Sequence, residues 1–281
     1  MPVINGRTEV LAHIGVPTHT FTSPLIYNPW FAARGIDSVV VPMGCEIEDF
    51  DAFLPLVMRL RNVRGALITM PHKVAVTRLL DQRSAAIDIC GSCNAVRRDD
   101  QGRLVGDMFD GVGFVRALKA ASGVTEGASV LLLGAGGVGA AIAAAMAAAG
   151  CARLSLYDPR ADTAAALKAR LATHYPALEI VTGERDPSGH SVVINASPVG
   201  MKDDDPSPID VTRLDAGAFV GDTVLGRKRT SFLAQAEARG HHVVNGNDML
   251  FEQIPAYLDF FGYPVATVAE LRRTAALLSS A

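Results

Sequence analysis

The chain has 281 residues, of which 49% are hydrophobic and 20% are charged, and its formal net charge is −3. This length is sufficient for about two domains, and the near-neutral charge argues against a nucleic-acid-binding protein, which normally carries a basic face. No apolar run approaches the roughly 20 residues that span a bilayer, the first residues do not resemble a signal peptide, and the 4 cysteines are too few for a disulfide scaffold. We therefore expect a cytoplasmic globular protein, a monomer or homodimer, with no membrane or nucleic-acid partner.

The first part of the chain alternates short apolar runs with helical patterns, which is typical of an α/β fold with a largely parallel sheet. Strands are predicted at residues 10–15, 38–42 and 66–69, and helices at 24–33 and 48–60. A polar turn at residues 99–102 then predicts a hairpin whose strands are 94–97 and 104–106.

The second part predicts a linking helix at residues 111–122, a polar loop at 202–208 and a helical tail from 248 to 281, whose apolar residues share one face. Strands are predicted at 129–133, 153–157, 179–181, 192–195, 219–222 and 242–244. If the tail returns to the first part, residues 1–110 and 247–281 form one domain and residues 111–246 form the other.

A glycine-rich segment directly follows the apolar strand at 129–133 and precedes a helical pattern. Gly134, Gly136 and Gly139 have the G-x-G-x-x-G spacing, which allows a tight turn, close approach of a pyrophosphate, and close packing of helix on strand. The free N–H groups of the helix N-terminus favour phosphate. This context predicts a dinucleotide site rather than an ordinary glycine-rich turn, formed by Gly134, Ala135, Gly136, Gly137, Val138 and Gly139.

Asp158 ends the next strand, nineteen residues after Gly139, where a ribose-binding carboxylate is expected. A carboxylate accepts hydrogen bonds from a ribose 2′-OH and repels a 2′-phosphate, so Asp158 favours NAD. Arg160 is either a solvent-facing residue or a phosphate-binding one, and it therefore leaves NADP open.

Lys73 and Asp110 are candidates for acid–base chemistry. Pro71 predicts a helix start, which would place Lys73 in the first turn, where the positive end of the helix dipole lowers the pKa of an ammonium group. A lysine of that kind can exchange a proton with a hydroxyl. Taken alone, a lysine such as Lys73 is most often a solvated surface residue, and Asp110 is similarly explained as a helix N-cap.

Six motifs in order make the chain resemble the shikimate dehydrogenase family over nearly its whole length. They contain the sequences GVPTHTFTSP, GALITMPHK, CNAV, GDMFDG, INASPVGM and MLFEQ, at residues 15–24, 65–73, 93–96, 106–111, 194–201 and 249–253.

The resemblance implies an α/β fold with an N-terminal substrate-binding domain and a doubly wound Rossmann-type domain that binds NAD. It also implies oxidation of a hydroxyl of a cyclic polyhydroxy acid, of the shikimate or quinate type, to a 3-dehydro ketone, with Lys73 and Asp110 as the catalytic pair. By the same resemblance, the substrate-binding residues are Ser23, Thr22, Thr69, Asn94 and Gln253, and further cofactor-binding residues are Ser197, Val224, Gly246 and Met249.

The chain departs from the family pattern at three positions. Phe21 stands where the family has a serine, Leu225 where it has a tyrosine, and Leu67 where it has an asparagine. Phe21 and Leu225 replace groups near the substrate carboxylate, and each lost hydrogen bond to a charge costs about 1–3 kcal/mol. Thr20 or Thr22 could compensate, or the substrate could differ at that end.

Other interpretations of function remain open at this point. The scaffold could act on a different hydroxylated molecule, or it could be a catalytically silent dinucleotide-binding sensor. Methylene-tetrahydrofolate dehydrogenases have a similar two-domain plan, but they use a tyrosine where Thr69 stands.

The remaining cysteine and histidine motifs are interpreted as structural. Cys90 and Cys93 form a C-x-x-C without a second ligand pair, so we expect no metal site. His241 and His242 are expected at the surface, and His72 is the histidine most worth testing because it adjoins Lys73.

Overall fold

A computed structural model describes residues 3–121, 123–202, 204–224 and 229–279. The chain divides into two compact units. Unit 1 comprises Met1–Ile87, Gly91–Phe109 and Ile254–Ala281, and unit 2 comprises Asp88–Cys90 and Asp110–Gln253. The prediction at Leu225 lies outside the described residues.

The elements up to residue 109 alternate between strands and helices. The strands are β1 (Glu9–Ile14), β2 (Ser38–Met43), β3 (Val63–Ile68), β4 (Gln82–Arg83), β5 (Ala95–Arg98) and β6 (Leu104–Asp107), and the helices are α1 (Ser23–Ala33), α2 (Phe50–Val57) and α3 (Ala85–Cys90).

The described strands of unit 1 form a six-stranded sheet in the order β2-β1-β3-β5-β6-β4. β1 pairs in parallel with both β2 and β3, whereas β5 pairs antiparallel with β3 and with β6. Buried aromatic side chains from Trp30, Phe31 and Phe50 pack in the core of this unit. Because β1 lies between β2 and β3, the residues that follow β1 and β3 emerge side by side at one edge of the sheet.

The remaining strands are β7 (Ser129–Leu133), β8 (Arg153–Tyr157), β9 (Glu179–Thr182), β10 (Val192–Asn195), β11 (Phe219–Asp222) and β12 (Val243–Asn245). The remaining helices are α4 (Asp110–Ala120), α5 (Gly137–Ala148), α6 (Ala161–His174), α7 (Ser231–Ala238), α8 (Gly246–Phe260) and α9 (Val268–Ser279).

Unit 2 contains a parallel sheet in the order β12-β11-β10-β7-β8-β9 within the described residues. The strand order reverses beside β7, which is the doubly wound arrangement. The small residues of α5 allow α4 to pack closely against it, since a Cβ atom at Gly111 would lie 2.0 Å from the carbonyl oxygen of Ala141. The predicted α/β fold class with a Rossmann-type domain is confirmed.

Most predicted elements agree with the structure, and the strands at 129–133, 153–157, 192–195 and 219–222 have the predicted bounds. The prediction of one helical tail is wrong in detail. α8 and α9 are separate because Gly262, with φ of 70°, and the following Pro264 interrupt the helix. The predicted linking helix ends at Ala120, and residue 122 lies outside the described residues.

The expectation that both histidines at 241–242 lie at the surface is wrong for His241. His241 is buried and its Nδ1 lies 3.1 Å from the carbonyl oxygen of Ala218, whereas His242 is exposed. Within the described ranges, no helix has both the length and the apolar composition needed to cross a bilayer. In the same ranges, no group of three or more histidine, cysteine, aspartate or glutamate side chains could hold a metal ion.

Candidate active site

The first group of candidate residues lies at the carboxyl ends of β1 and β3 in unit 1. The amide of Thr69 donates to the carbonyl of Ile14 over 3.0 Å, and the amide of Val16 donates to Met70 over 3.1 Å. A Cβ atom at Gly15 would lie 2.5 Å from Cγ2 of Thr69. Gly15 therefore has to be a glycine, because its lack of a side chain lets the segment after β1 lie against Thr69.

Lys73 follows in a turn and not in a helix, so the prediction that it opens a helix is wrong. Residues 71–74 form turns, and a short 3-10 helix begins only at Ala75. The segment contains the β-branched residues Val74, Val76 and Thr77, which have low helix propensity. Lys73 therefore does not lie in the first turn of an α-helix, where the dipole of such a helix was expected to act on it.

The Lys73 turn is anchored by its neighbours. The carbonyl of Lys73 accepts a hydrogen bond from the amide of Cys93 over 2.8 Å. The buried ring of His72 stacks on Phe50 at 4.0 Å, and its Nε2 lies 2.7 Å from the carbonyl oxygen of Cys45. His72 thus fixes the turn from inside the core, which makes it a structural neighbour of Lys73.

Asn94 is buried next to this turn. Its carbonyl accepts from the amide of Ile68 over 2.9 Å, and its side-chain Oδ1 accepts from the amide of Phe109 over 3.0 Å. These bonds hold Asn94 at the end of β3, near Thr69. The structure thus brings Thr69, Lys73 and Asn94 together within unit 1.

Thr22 and Ser23 begin α1. Thr22 is the N-cap residue but its side chain makes no capping hydrogen bond, and Ser23 is the first helical residue. Phe21 precedes them, and its ring stacks on His13 with 4.0 Å between centroids. His13 is buried, and its pKa is lowered to about 4, first by desolvation and then by the charge of Lys73.

In unit 2 the glycine segment has the geometry of a phosphate loop. Gly134 has φ of 98°, and a Cβ atom at Gly139 would lie 1.9 Å from the carbonyl oxygen of Gly134. Cβ atoms at Gly136 and Gly137 would meet no protein atom within 4 Å. Gly134 and Gly139 are thus required by the fold, whereas Gly136 and Gly137 face open space at the N-terminus of α5, where a pyrophosphate fits.

A cavity of about 510 Å³ adjoins this loop. Its lining includes Gly134, Gly136, Gly137, Val138, Tyr157, Asp158, Arg160, Arg185 and Ser197. Asp158 Oδ2 accepts from the amide of Ala135 over 3.0 Å, and Oδ1 accepts from the amide of Arg160 over 2.9 Å. Burial alone would raise the pKa of Asp158, but these hydrogen bonds and the Arg160 charge lower it, so the cavity wall carries a carboxylate.

The remaining predicted cofactor residues follow β10, β11 and β12 in unit 2. Ser197 Oγ donates to Asn195 Oδ1 over 2.7 Å. A Cβ atom at Gly246 would lie 2.8 Å from the carbonyl oxygens of Thr223 and Val224, so Gly246 packs directly on that backbone. Val224 and Met249 are both buried.

Gln253 and Asp110 lie on packed helices of unit 2. A Cβ atom at Gly113 would lie 2.6 Å from the carbonyl oxygen of Met249 and 2.7 Å from Cβ of Gln253, so α4 and α8 are in close contact. Asp110 is buried at the first position of α4. Gln253 is also buried, and its Oε1 has no hydrogen-bond partner among the described residues.

A buried polar network that was not predicted from the sequence lies at the carboxyl ends of β10 and β11. Asp222 accepts hydrogen bonds from Thr230 Oγ1 over 2.7 Å, from Asn195 Nδ2 over 3.1 Å and from the amide of Val224 over 3.1 Å. Burial raises the pKa of Asp222 more than these bonds lower it. The available signal was an aspartate as the last residue of a predicted strand. The network fixes the loop that carries Ser197.

Comparisons with known proteins show the family of the chain. Residues 14–96 match the family described as the shikimate dehydrogenase substrate binding domain. The shikimate dehydrogenase (NADP(+)) of Rubrobacter xylanophilus is 34% identical over 257 residues, which are 90% of each protein. That of Citrifermentans bemidjiense is 35% identical over 258 residues, which are 89% of this chain and 88% of the relative.

Solved structures give the same result. The shikimate 5-dehydrogenase of Listeria monocytogenes, in complex with shikimate and NAD, has a TM-score of 0.90 at 26% identity and covers 97% of this chain and 98% of its own. The quinate dehydrogenase of Corynebacterium glutamicum, in complex with NAD, has a TM-score of 0.83 at 27% identity, with 97% and 99% covered. The chain belongs to the shikimate dehydrogenase family and is an oxidoreductase of the shikimate/quinate dehydrogenase type.

Proposed function

We propose that the protein is an NAD-dependent dehydrogenase that interconverts a cyclic polyhydroxy acid of the shikimate or quinate type and its 3-dehydro ketone. The observation that supports this proposal most directly is the grouping of Thr69, Lys73 and Asn94 at the carboxyl end of β3, fixed by hydrogen bonds from Cys93 and Ile68. A lysine beside two hydrogen-bonding side chains can hold a hydroxyl group and exchange its proton.

Lys73 and Asp110 are the proposed acid–base pair. In the oxidative direction, Lys73 accepts the hydroxyl proton of the substrate and Asp110 orients the reacting groups. The nicotinamide, when bound, supplies the hydride acceptor. Lys73 returns the proton in the reverse direction.

The remaining proposed substrate-binding residues form two groups, which contact different chemical groups of the substrate. Thr69, Asn94 and Gln253 bind ring hydroxyls, and Ser23 with Thr22 binds the carboxylate. The buried Oε1 of Gln253, which has no partner among the described residues, supports its role because a substrate hydroxyl would satisfy it. The start of α1 supports the role of Ser23 and Thr22, since the Thr22 hydroxyl makes no capping hydrogen bond and can donate to an anion.

The catalytic pair is tested by turnover. Purified protein is given NAD or NADP with a panel that includes shikimate and quinate, and formation of the reduced dinucleotide is followed. Lys73→Met and Asp110→Asn should each lower kcat by about 10²–10⁴-fold while dinucleotide binding is retained. Lys119→Met is the matched control, because Lys119 is exposed on α4 and should leave kcat unchanged.

Turnover that survives the Lys73/Asp110 double substitution would refute the mechanism. Binding of dinucleotide with no turnover on the whole panel would instead favour a catalytically silent sensor.

NAD is the proposed cofactor because of Asp158. Its carboxylate lies in the cavity wall beside the glycine loop, where a 2′-phosphate would be repelled. Two guanidinium groups in the cavity lining favour a 2′-phosphate instead. The side chain of Arg160 is 74% exposed, and the guanidinium of Arg185 lies over the Tyr157 ring. The relatives from Rubrobacter xylanophilus and Citrifermentans bemidjiense are named as NADP(+) enzymes.

The dinucleotide preference is measured by titration of NADH and NADPH fluorescence. We expect NADH to bind at least about tenfold more tightly, which is about 1.4 kcal/mol, and Asp158→Asn to reduce that ratio. Arg239→Gln serves as a control because Arg239 is exposed and does not line this cavity. Equal or tighter binding of NADPH by the unmodified protein would refute the preference.

We also propose that residues 1–110 with 247–281 form the substrate-binding domain and residues 111–246 the NAD-binding domain. The four cysteines are all free and buried, which supports a cytoplasmic location. A monomer or homodimer is expected, and light scattering would distinguish them.

A further inference from the structure

His13 is a buried histidine that the proposed function does not use. It lies in β1, opposite Pro42 of β2 and Leu67 of β3, so strands flank it on both sides. Only 7% of the residue is exposed. A histidine in the centre of a sheet would ordinarily have a hydrogen-bond partner for each ring nitrogen.

The ring of His13 lies beside the proposed substrate-binding residues of unit 1. Its face stacks on Phe21 with an interplanar angle of 26°. Phe21 Cζ lies 3.3 Å from the position of a Cβ atom at Gly15, and Thr69 Cγ2 lies 2.5 Å from the same position. His13, Phe21, Gly15 and Thr69 therefore form one continuous surface, which we name the His13 wall.

The protonation state of His13 follows from this environment. Burial, and to a smaller extent the charge of the nearby Lys73 ammonium, lower the pKa of His13 to about 4. The imidazole is therefore neutral near pH 7 and carries one N–H group.

The two ring nitrogens differ in their surroundings. Nδ1 is enclosed and has no hydrogen-bond partner in the described part of the chain. A proton on Nδ1 would be an unsatisfied buried donor, which is costly. The tautomer protonated at Nε2 leaves Nδ1 as an unpaired acceptor instead, which is less rare among buried groups than an unpaired N–H, and it presents an Nε2–H group that can donate to a ligand.

We propose that His13 is a further substrate-binding residue whose Nε2–H group donates a hydrogen bond to an uncharged oxygen of the substrate, a hydroxyl or a carbonyl, beside Lys73. This proposal rests on the proposed function in one respect, namely that Lys73 and Thr69 face the substrate.

The His13 wall fits a hydroxyl or carbonyl better than a carboxylate. Apart from one neutral donor, the His13 and Phe21 rings present carbon to the ligand. A carboxylate has about four acceptor positions, and the His13 and Phe21 rings would satisfy only one of them. We therefore expect His13 to select for a hydroxyl or carbonyl at this position of the substrate.

Two substitutions separate hydrogen bonding from packing. His13→Phe keeps an aromatic ring against Phe21 but removes both nitrogens, and His13→Gln removes the ring but supplies an amide N–H. Equilibrium binding of each panel member, including shikimate and quinate, is measured by calorimetry, and kcat and KM are measured for each member that turns over.

His13→Phe should weaken binding and raise KM by roughly tenfold to a hundredfold, with a smaller change in kcat and unchanged dinucleotide affinity. His13→Gln should recover most of this loss even where its melting temperature is the lower of the two. A deoxy analogue that lacks the contacted hydroxyl should bind the unmodified protein and His13→Phe equally.

Binding that is indifferent to His13→Phe would overturn the proposal, as would a His13→Gln protein that binds no better than His13→Phe. Failure of every panel member to bind would overturn it as well. The two effects of the His13 substitutions are distinct from failure of the proposed function, in which panel members bind the unmodified protein but are not oxidised.

Discussion

The buried His13 should make the folded protein less stable as the pH falls, and His13→Phe should remove this effect. In the unfolded chain His13 has a pKa near 6.5, whereas in the folded protein its pKa is about 4. Between these values the unfolded chain binds a proton that the folded protein does not. The free energy of unfolding therefore falls as the pH is lowered through this window.

The magnitude follows from the two pKa values. At pH 7.5 neither state is protonated at His13, and at pH 5 the difference amounts to about 2 kcal/mol. Upon lowering the pH from 7.5 to 5, His13→Phe should thus lose about 2 kcal/mol less stability than the unmodified protein. Other titrating groups are common to both proteins and cancel in the comparison.

Urea denaturation followed by tryptophan fluorescence measures this difference. Trp30 is the only tryptophan, and it is buried in unit 1 together with His13. His174→Gln is the control, because His174 is exposed and in unit 2. If His13→Phe and the unmodified protein lose the same stability to within about 0.5 kcal/mol, the inferred environment of His13 is wrong.

Two further predictions concern unit 2. Gly139→Ala should lower the free energy of unfolding by about 1–3 kcal/mol, because its Cβ would collide with the carbonyl of Gly134. Gly136→Ala should preserve the melting temperature, because its Cβ would meet no protein atom, and should weaken dinucleotide binding at least about tenfold. Calorimetric melting and NADH titration test both variants, and a destabilised Gly136→Ala would contradict the open space above the loop. Thr230→Val should cost about 1–3 kcal/mol, since buried Asp222 loses a hydrogen bond; an unchanged urea midpoint would show that this bond contributes little.

The strands and the glycine loop could be predicted from the sequence because their signals are local. The apolar run 129–133 becomes β7 with the same bounds, and the glycines at 134, 136 and 139 follow it in the predicted turn. A strand of a parallel sheet is buried on both faces, so it reads as a continuous apolar run. The spacing of the glycines is likewise a local signal, because it is set by the backbone geometry of the turn that contains them.

The conformation of the Lys73 segment was not predictable in the same way. Pro71 is compatible with a helix start, but the residues that follow form turns and a short 3-10 helix. Their conformation is held by contacts with Cys93 and Cys45, which lie about twenty or more residues away in the sequence. Local propensity is a weak prior, and tertiary contacts override it.

The sequence by itself determined the fold class, most of the elements and the resemblance to shikimate dehydrogenases, because periodicity and turn chemistry depend on neighbouring residues. Only the tertiary structure brought His13 against Phe21, and Asp222 into contact with Asn195 and Thr230. The partners of a buried polar group are set by strand order and packing. Burial and hydrogen bonding, which decide its charge, are therefore properties of the folded chain.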